Sequence, residues 1–389
     1  MLKLKGSWGT LGNQNLDKAY PAEPLLTNAY SAVFGKPSAI YPGYQLSYLP
    51  NPNLRWEKVE AWEVGAEANF FRNRLHFEGV YYKKTTKDLL AEVPGISGTV
   101  PGIGNLGSIE NKGVELAINW RDQIGDWGYN VGANLTTIKN KVLSLVQDGY
   151  SIIAGDKSQS YTMAGYPIGY FYGYKVEGVY QTDEEIARSP KNTLATVTPG
   201  DLKFKDVNGD GEITTADRTV IGNAMPKWFG GITNSFSYKG IDFSFMLQYS
   251  YGNDIFNATR QFATGSQDQR YNMLAEVADR WSPTNASNKV PSTKGYVKGD
   301  VYSRFVEDGS FLRLKNMTLG YSLPKKWINK IHISKLRIYG TAQNLFCISG
   351  YSGYDPEVST AASNPMTPGL DWGAYPKSRV FTFGLDVQF

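Results

Sequence analysis

The amino-acid sequence predicts an all-β chain, an antiparallel transmembrane β-barrel present in part, with about ten long strands and long extracellular loops. Three observations predict it. Apolar and polar residues alternate over stretch after stretch, as they do when one face of a strand meets lipid and the other a wet lumen. No run approaches the ~18 apolar residues of a membrane helix, so a crossing would have to be made by strands. Tight turns join alternate pairs of strands, and every other connection is long.

The chain alternates from its start, Met1-Leu2-Lys3-Leu4-Lys5-Gly6-Ser7-Trp8-Gly9. It opens on no charged, apolar and small-residue leader: read literally, that is a cytosolic protein; read as a fragment, its export signal lies upstream of Met1, and the strand pattern that follows favours the fragment. From Glu57 to Phe71, Trp62, Val64, Ala66, Ala68 and Phe70 alternate with Glu63, Gly65, Glu67 and Asn69. A turn at Arg72-Asn73-Arg74 leads to Leu75, Phe77, Gly79 and Tyr81 on one face. Val114, Leu116, Ile118 and Trp120 then share a face, and a turn at Gly125-Asp126 precedes Tyr129, Val131, Ala133 and Leu135.

Ile232, Asn234, Phe236 and Tyr238 continue the pattern, which turns at Lys239-Gly240 and returns through Ile241, Phe243, Phe245, Leu247 and Tyr249. Phe311 to Tyr321 and Lys335 to Phe346 are joined by a short connection containing Pro324. In the first of these the apolar face slips between Leu314 and Met317, as a β-bulge allows. The last strand, residues 379–389, sets Phe381, Phe383, Leu385, Val387 and Phe389 against Thr382, Gly384, Asp386 and Gln388.

An ordinary half-buried strand would alternate in the same way. The connections favour the barrel. Residues 11–53, 88–107, 147–227, 252–305 and 349–378 are long, whereas the intervening turns are short. Such barrels have short periplasmic turns and long extracellular loops. If the last strand ends at the periplasm, every tight turn falls there, the first strand runs upward, and the strand count is even. Within 252–305, Tyr271 to Trp281 reads as a short helix, with Met273, Leu274, Val277, Ala278 and Trp281 at helical spacing. Within 147–227, Gly169 to Gln181 reads as a hairpin outside the membrane.

Composition agrees. Among 389 residues, 14% are aromatic, with 26 Tyr and 41 Gly, which suits strands, turns and interfacial rings. Net charge is only +4 and no basic block is present, so no nucleic-acid partner is expected. The single Cys347 excludes an internal disulfide framework.

One stretch carries chemistry in its spacing. Residues 206–217, Asp-Val-Asn-Gly-Asp-Gly-Glu-Ile-Thr-Thr-Ala-Asp, match a calcium loop in the long extracellular loop 147–227. The expected ligands are Asp206, Asn208, Asp210, the carbonyl of Glu212, Thr214 directly or through water, and Asp217, with Ca2+ in a structural role. Ile213 occupies the apolar-anchor position, and Asp217 departs from the usual glutamate at the last position. A solvated turn that binds nothing has the same letters, and no helix pair flanks the loop. Before it Gly200 to Lys205 is extended, and after it Arg218-Thr219-Val220-Ile221-Gly222 is short and β-branched.

Catalytic constellations are lacking, so no enzyme is expected. His76 and His332 have no ligand spacing between them, and no carboxylates pair as acid and base. Gly102 to Gly107 approaches a dinucleotide fingerprint in letters only, without a strand–helix context. Loop aromatics remain as candidate substrate contacts, chiefly Trp281, Tyr351, Tyr354 and Trp372, beside Tyr41, Tyr44 and Tyr375. Packing of loops is the competing use of each ring.

The order of motifs resembles the C-terminal part of the SusC/RagA-type TonB-dependent transporters of Bacteroidota outer membranes. The matching stretches begin with Leu4 to Gly9, Gly12-Asn13-Gln14, Leu54-Arg55-Trp56-Glu57 and Asn111-Lys112-Gly113-Val114-Glu115. They continue with Gly165-Tyr166-Pro167-Ile168-Gly169, Phe171-Tyr172-Gly173-Tyr174, Gly200 to Gly211, Asp217-Arg218 and Ile221-Gly222-Asn223. Tyr249 to Asn257, Phe311-Leu312-Arg313-Leu314-Lys315-Asn316 and Gln343-Asn344-Leu345-Phe346 complete the series.

The resemblance implies a barrel of about 22 strands around a plug, a SusD-like surface lipoprotein as lid, and energy from TonB-ExbB-ExbD acting through a plug domain that this chain lacks. It implies import of oligosaccharides or peptides, and a lipid-embedded, multi-pass location in the bacterial outer membrane. Phe381, Phe383, Leu385, Val387 and Phe389 then read as the insertion signal for the outer-membrane assembly machinery, in a strand that closes the barrel. The alternative is a calcium-stabilised outer-membrane surface binding or adhesion protein without active transport. A dockerin-like module is a poorer fit, since dockerins carry two such loops with helices.

Overall fold

The computed structural model describes residues 1–13, 20–93, 102–146, 149–265, 272–293, 301–328, 332–357 and 364–389. Gln14 of the motif series and Tyr271 of the expected helix lie outside them.

Among the described residues, ten strands form one antiparallel wall in chain order. They are β1 (Leu2–Asn13), β2 (Glu57–Phe70), β3 (Leu75–Lys87), β4 (Gly107–Ile124), β5 (Trp127–Thr137), β6 (Trp228–Tyr238), β7 (Ile241–Tyr251), β8 (Phe311–Ser322), β9 (Lys335–Ser349) and β10 (Val380–Gln388). An eleventh strand of the sheet, Lys139–Leu145, folds back on β4. Tilted barrel strands need ~9–11 residues to cross a bilayer, and the shortest wall strand, β10, has 9.

Register keeps the apolar set on one side, because residues paired across antiparallel strands share a face. Trp62 pairs with Trp8, and Val64 with Tyr81. Tyr81 pairs with Val114, Ile118 with Ala133, and Ala133 with Ile232. The row continues through Ile232 with Leu247, Tyr321 with Ile338, and Ile338 with Leu385. A one-residue slip anywhere would turn a whole strand's apolar set into the lumen. The expected bulge is present: Leu314 and Asn316 pair with neighbouring residues of β7 while Lys315 is skipped, which restores the face at Met317. Aromatic pairs mark both rims, Trp127 stacked on Tyr238 at 4.2 Å near the short turns and Trp228 on Tyr251 at 4.9 Å near the long connections.

Both chain termini and the short connections lie at one end. The Asn69 N–H beside the first turn donates to the Met1 carbonyl, and Ser334 donates to Gln388. Lys239 (φ 46°) and Gly240 (φ 90°) form a two-residue turn of the kind that matches strand twist. The other connections leave the opposite end. Residues 149–227, 252–265, 272–293, 301–310, 350–357 and 364–378 contribute to a cap there, with a core of its own. Phe171, Phe204, Ile213, Phe256, Tyr302 and Phe305 are buried in it.

Two local expectations are corrected in the cap. Residues 271–281 form no α-helix over their described part, only a 3-10 turn, Ala275–Asp279. Val277 alone of the proposed stripe is buried, and Trp281 is drawn off by its N–H donating to the Val290 carbonyl. Among the described residues of that connection the α-helix is Ala258–Gly265, started where Asn257 accepts the Arg260 N–H. Gly169 to Gln181 is not a hairpin. Tyr170–Gly173 pairs with Ser160–Met163 and Thr219–Gly222, whereas Val176–Val179 pairs with Leu202–Phe204. Strong β-propensity placed strands here, but distant partners chose their sheets.

Candidate functional site

The polar face of the wall is lined by paired charges. Lys5 bridges Glu67 and Glu78 at 2.9 and 2.6 Å, Glu110 accepts from Lys83 and Lys112, and Arg337 grips Asp242 through two nitrogens. Pairing offsets part of the cost of holding these ions together on the wall.

At the mouth, the last long connection is tied to this face. Arg313 of β8 reaches Asp355 at 2.5 Å and Glu357 at 2.8 Å, and both it and Asp355 are buried. Lys377 approaches the same Glu357 oxygen at 2.8 Å, and Gln248 of β7 donates to the other. Higher in the cap, Arg260 makes a bidentate contact with Glu276 and a further one with Glu307. The Arg260 guanidinium therefore holds the Glu276 carboxyl below the usual carboxylate range, against the opposing effect of burial.

The loop of residues 206–217 is compact and internally bonded. Asp206 accepts the N–H groups of Gly209 and Gly211 at 2.6 and 2.9 Å, and Asp210 accepts that of Glu212. Asn208 accepts from the Asp210 N–H and donates to its carboxylate. Thr214 caps the 3-10 turn Thr215–Asp217. Asp217 is fully buried and accepts from the Val207 and Thr214 N–H groups at 2.9 and 2.7 Å. Burial pushes its carboxyl up, but these backbone donors and that of Asn208 outweigh it and hold it below its ordinary value.

Gly209 and Gly211 adopt φ of 76° and 84°, which the turn requires. Glu212–Ile213 pairs in parallel with Lys191–Asn192, and Ile213 enters the cap core. The donor chemistry is all hard oxygen, as calcium prefers. Asp206, Asn208 and Asp210 follow one tight turn, while Asp217 faces back into the loop. Among the described residues no three carboxylate, imidazole or thiol groups are gathered at one point.

The four candidate substrate contacts separate. Trp281 donates to Gln181 at 3.1 Å and packs on the cap core. Tyr351 is buried with its hydroxyl donating to Asp371 at 2.6 Å; burial and that bond push its phenol well above the ordinary range. Trp372 donates to Asp156 and also packs on the core. Tyr354 alone stays free of the core, 70% exposed. The outward row Phe381, Phe383, Leu385, Val387 and Phe389 is exposed throughout, in and just beyond β10.

Residue spacing did not reveal the Arg313–Asp355–Glu357–Lys377 cluster. Its members are 42 residues apart at the central pair, and Arg313 alone of them lies in a matching stretch, Phe311 to Asn316.

A sheet with a continuous apolar outer face, a charged inner face, aromatic rims and all its long loops at one end is the wall of an outer-membrane β-barrel. The sequence profile of the family described as TonB dependent receptor-like, beta-barrel, matches residues 2–345. TonB-dependent receptor P3 of Formosa agariphila is 35% identical across the whole chain, which covers 39% of that protein. TonB-dependent receptor SusC of Bacteroides thetaiotaomicron is 30% identical, again across the whole chain and 37% of the relative. The solved RagAB peptide transporter superposes with a TM-score of 0.82 at 26% identity, over 100% of this chain and 40% of that one. The chain belongs to the SusC/RagA family of TonB-dependent receptor barrels, a family of outer-membrane receptors rather than enzymes. It spans about two fifths of the length of these relatives.

Proposed function

We propose that the chain is the barrel portion of a TonB-dependent outer-membrane importer of oligosaccharides or peptides, working beneath a SusD-like surface lipoprotein. The observation that carries this is the joint preservation of wall and cap across the whole chain in the RagAB peptide transporter. In this reading, TonB-ExbB-ExbD acts through a plug domain outside the chain, and the charged inner wall and tied-down mouth form its passage. Deleting the gene should abolish growth on one class of oligosaccharide or peptide as sole source, and a tagged protein should co-purify a surface lipoprotein. Unchanged growth and uptake on every such source would overturn import and leave surface binding or adhesion.

The loop of residues 206–217 is proposed as a structural Ca2+ staple, held by Asp206, Asn208, Asp210, the Glu212 carbonyl, Thr214 and Asp217. Hard oxygen donors and the burial of Ile213 support it. When bound, the ion would supply only cross-linking of the loop. Calcium should protect the cap of the native protein from protease, and Asp206→Ala with Asp210→Ala should remove that protection. Identical digestion with calcium and with chelator would count against the site.

A further inference from the structure

We infer that the tyrosine-lined face of the small extracellular sheet binds a carboxylate, with Arg218 as its anion-binding group. Ser151–Ala154, Ser160–Met163, Tyr170–Gly173 and Thr219–Gly222 form this sheet in that order. Ile153 pairs with Tyr161, Tyr161 with Tyr170, and Tyr172 with Val220, so these side chains share one face. The opposite face, with Phe171, is sealed into the cap core.

Arg218 precedes the last of these strands and lays its guanidinium over three rings. Its carbon lies 5.6 Å from the Tyr161 centroid and 5.8 Å from those of Tyr172 and Tyr174. Nη1 donates to the Tyr161 hydroxyl at 3.2 Å. Arg260 and Arg304 of the same cap both reach Glu276, but among the described residues no carboxylate pairs with Arg218. Its Nε is shielded from solvent and has no protein acceptor.

A guanidinium presents five donors in a planar fork that fits a carboxylate through two parallel bonds. Here one donor is used, and the aromatic rings fix the plane and exclude water from one side, which strengthens the attraction for an anion. Tyrosine and arginine together are also the composition of recognition surfaces. The matching ligand is a carboxylate, carried by a uronate-containing oligosaccharide or by a peptide terminus. As a site on cargo this rests on the import reading, but binding can be measured without transport.

The test is calorimetry on the native protein purified in detergent from its outer membrane, with trigalacturonate, N-acetyl-trialanine and neutral maltotriose as probes. At least one acidic probe should bind, and maltotriose at least tenfold more weakly. Trigalacturonate alone would identify the source as a glycan, and the peptide alone as a chain terminus. Arg218→Lys keeps the charge but loses the fork, and should weaken the acidic probe at least tenfold at unchanged melting temperature. Should that variant lose the cap fold, Tyr161→Phe, which frees Nη1, should shift the affinity several-fold with the cap intact. Wild-type protein that binds no acidic probe, or binds maltotriose equally, would overturn the site, as would full affinity in a folded Arg218→Lys or Tyr161→Phe protein. Lost uptake with intact binding would instead implicate the transport machinery.

Discussion

Asp217 shows how a single carboxylate can organise an extracellular loop. While fully buried it accepts the backbone N–H groups of Val207 and Thr214, from either side of the loop, so Asp217→Ala would leave both of those donors without this partner. Each buried unsatisfied donor costs about 1–3 kcal/mol. We expect the variant to expose the segment around residue 206 to protease at temperatures where the native protein resists. The pH dependence follows from the lowered carboxyl. Its contribution to stability is complete above the unfolded value of about 3.9 and is lost as pH falls through the lower folded value. Protease resistance measured against pH should therefore fall only below about pH 4, and Asp217→Asn should flatten that acid limb. At the mouth, Asp355→Ala removes one partner from a buried ion pair, a change that costs about 3–5 kcal/mol. Denaturant unfolding of the native protein should show that loss, whereas replacing Arg313, Asp355 and Glu357 together by apolar residues should recover part of it.

Wall strands were legible in the sequence because alternation is a local property. From Trp62 to Phe70 the side of the sheet taken by each residue follows from its neighbours, and even the slip between Leu314 and Met317 could be read before the pairing showed Lys315 to be the skipped residue. The small sheets of the cap were not legible. Tyr174 receives its partner from Val301, and the Phe256 N–H donates to Gly369, across separations that leave no periodic trace. The helix Ala258–Gly265 is likewise fixed by Asn257 and by Arg260 reaching Glu276, not by an apolar stripe. For the candidate residues, spacing showed the compact 206–217 loop and the anchor position of Ile213, but could not show that the Tyr351 hydroxyl is held by Asp371 and the Trp372 ring nitrogen by Asp156. Gly113 of the Asn111-to-Glu115 motif has a physical reason: a Cβ there would strike the Thr137 carbonyl of β5. Gly113→Ala should reduce the heat-modifiable folded fraction. On β10, Phe383→Arg places a charge on the lipid face, at a cost of about 2–4 kcal/mol near mid-bilayer, and should impair assembly. Asp386→Asn on the other face should not.

At the scale of the whole molecule, the wall and the cap are held by different forces and joined at the mouth through Arg313 and Gln248. The wall is held by backbone pairing from β1 to β10, the cap by a buried aromatic core drawn from three connections and by the Arg260 network. In detergent, urea should therefore separate two transitions. Aromatic fluorescence and protease sensitivity should report loss of the cap while the heat-modifiable wall persists; a single coincident transition would contradict this. The same division reverses the meaning of hydrophobicity along the sequence. Phe383 faces outward because its surroundings are oil, and Phe171 faces inward because its surroundings are water. Within a few residues of each strand end the polypeptide changes solvent, and its folding rule inverts. A phenylalanine-to-serine change on the wall loosens the protein's hold on the membrane, whereas the same change in the cap opens a hole in a water-soluble core.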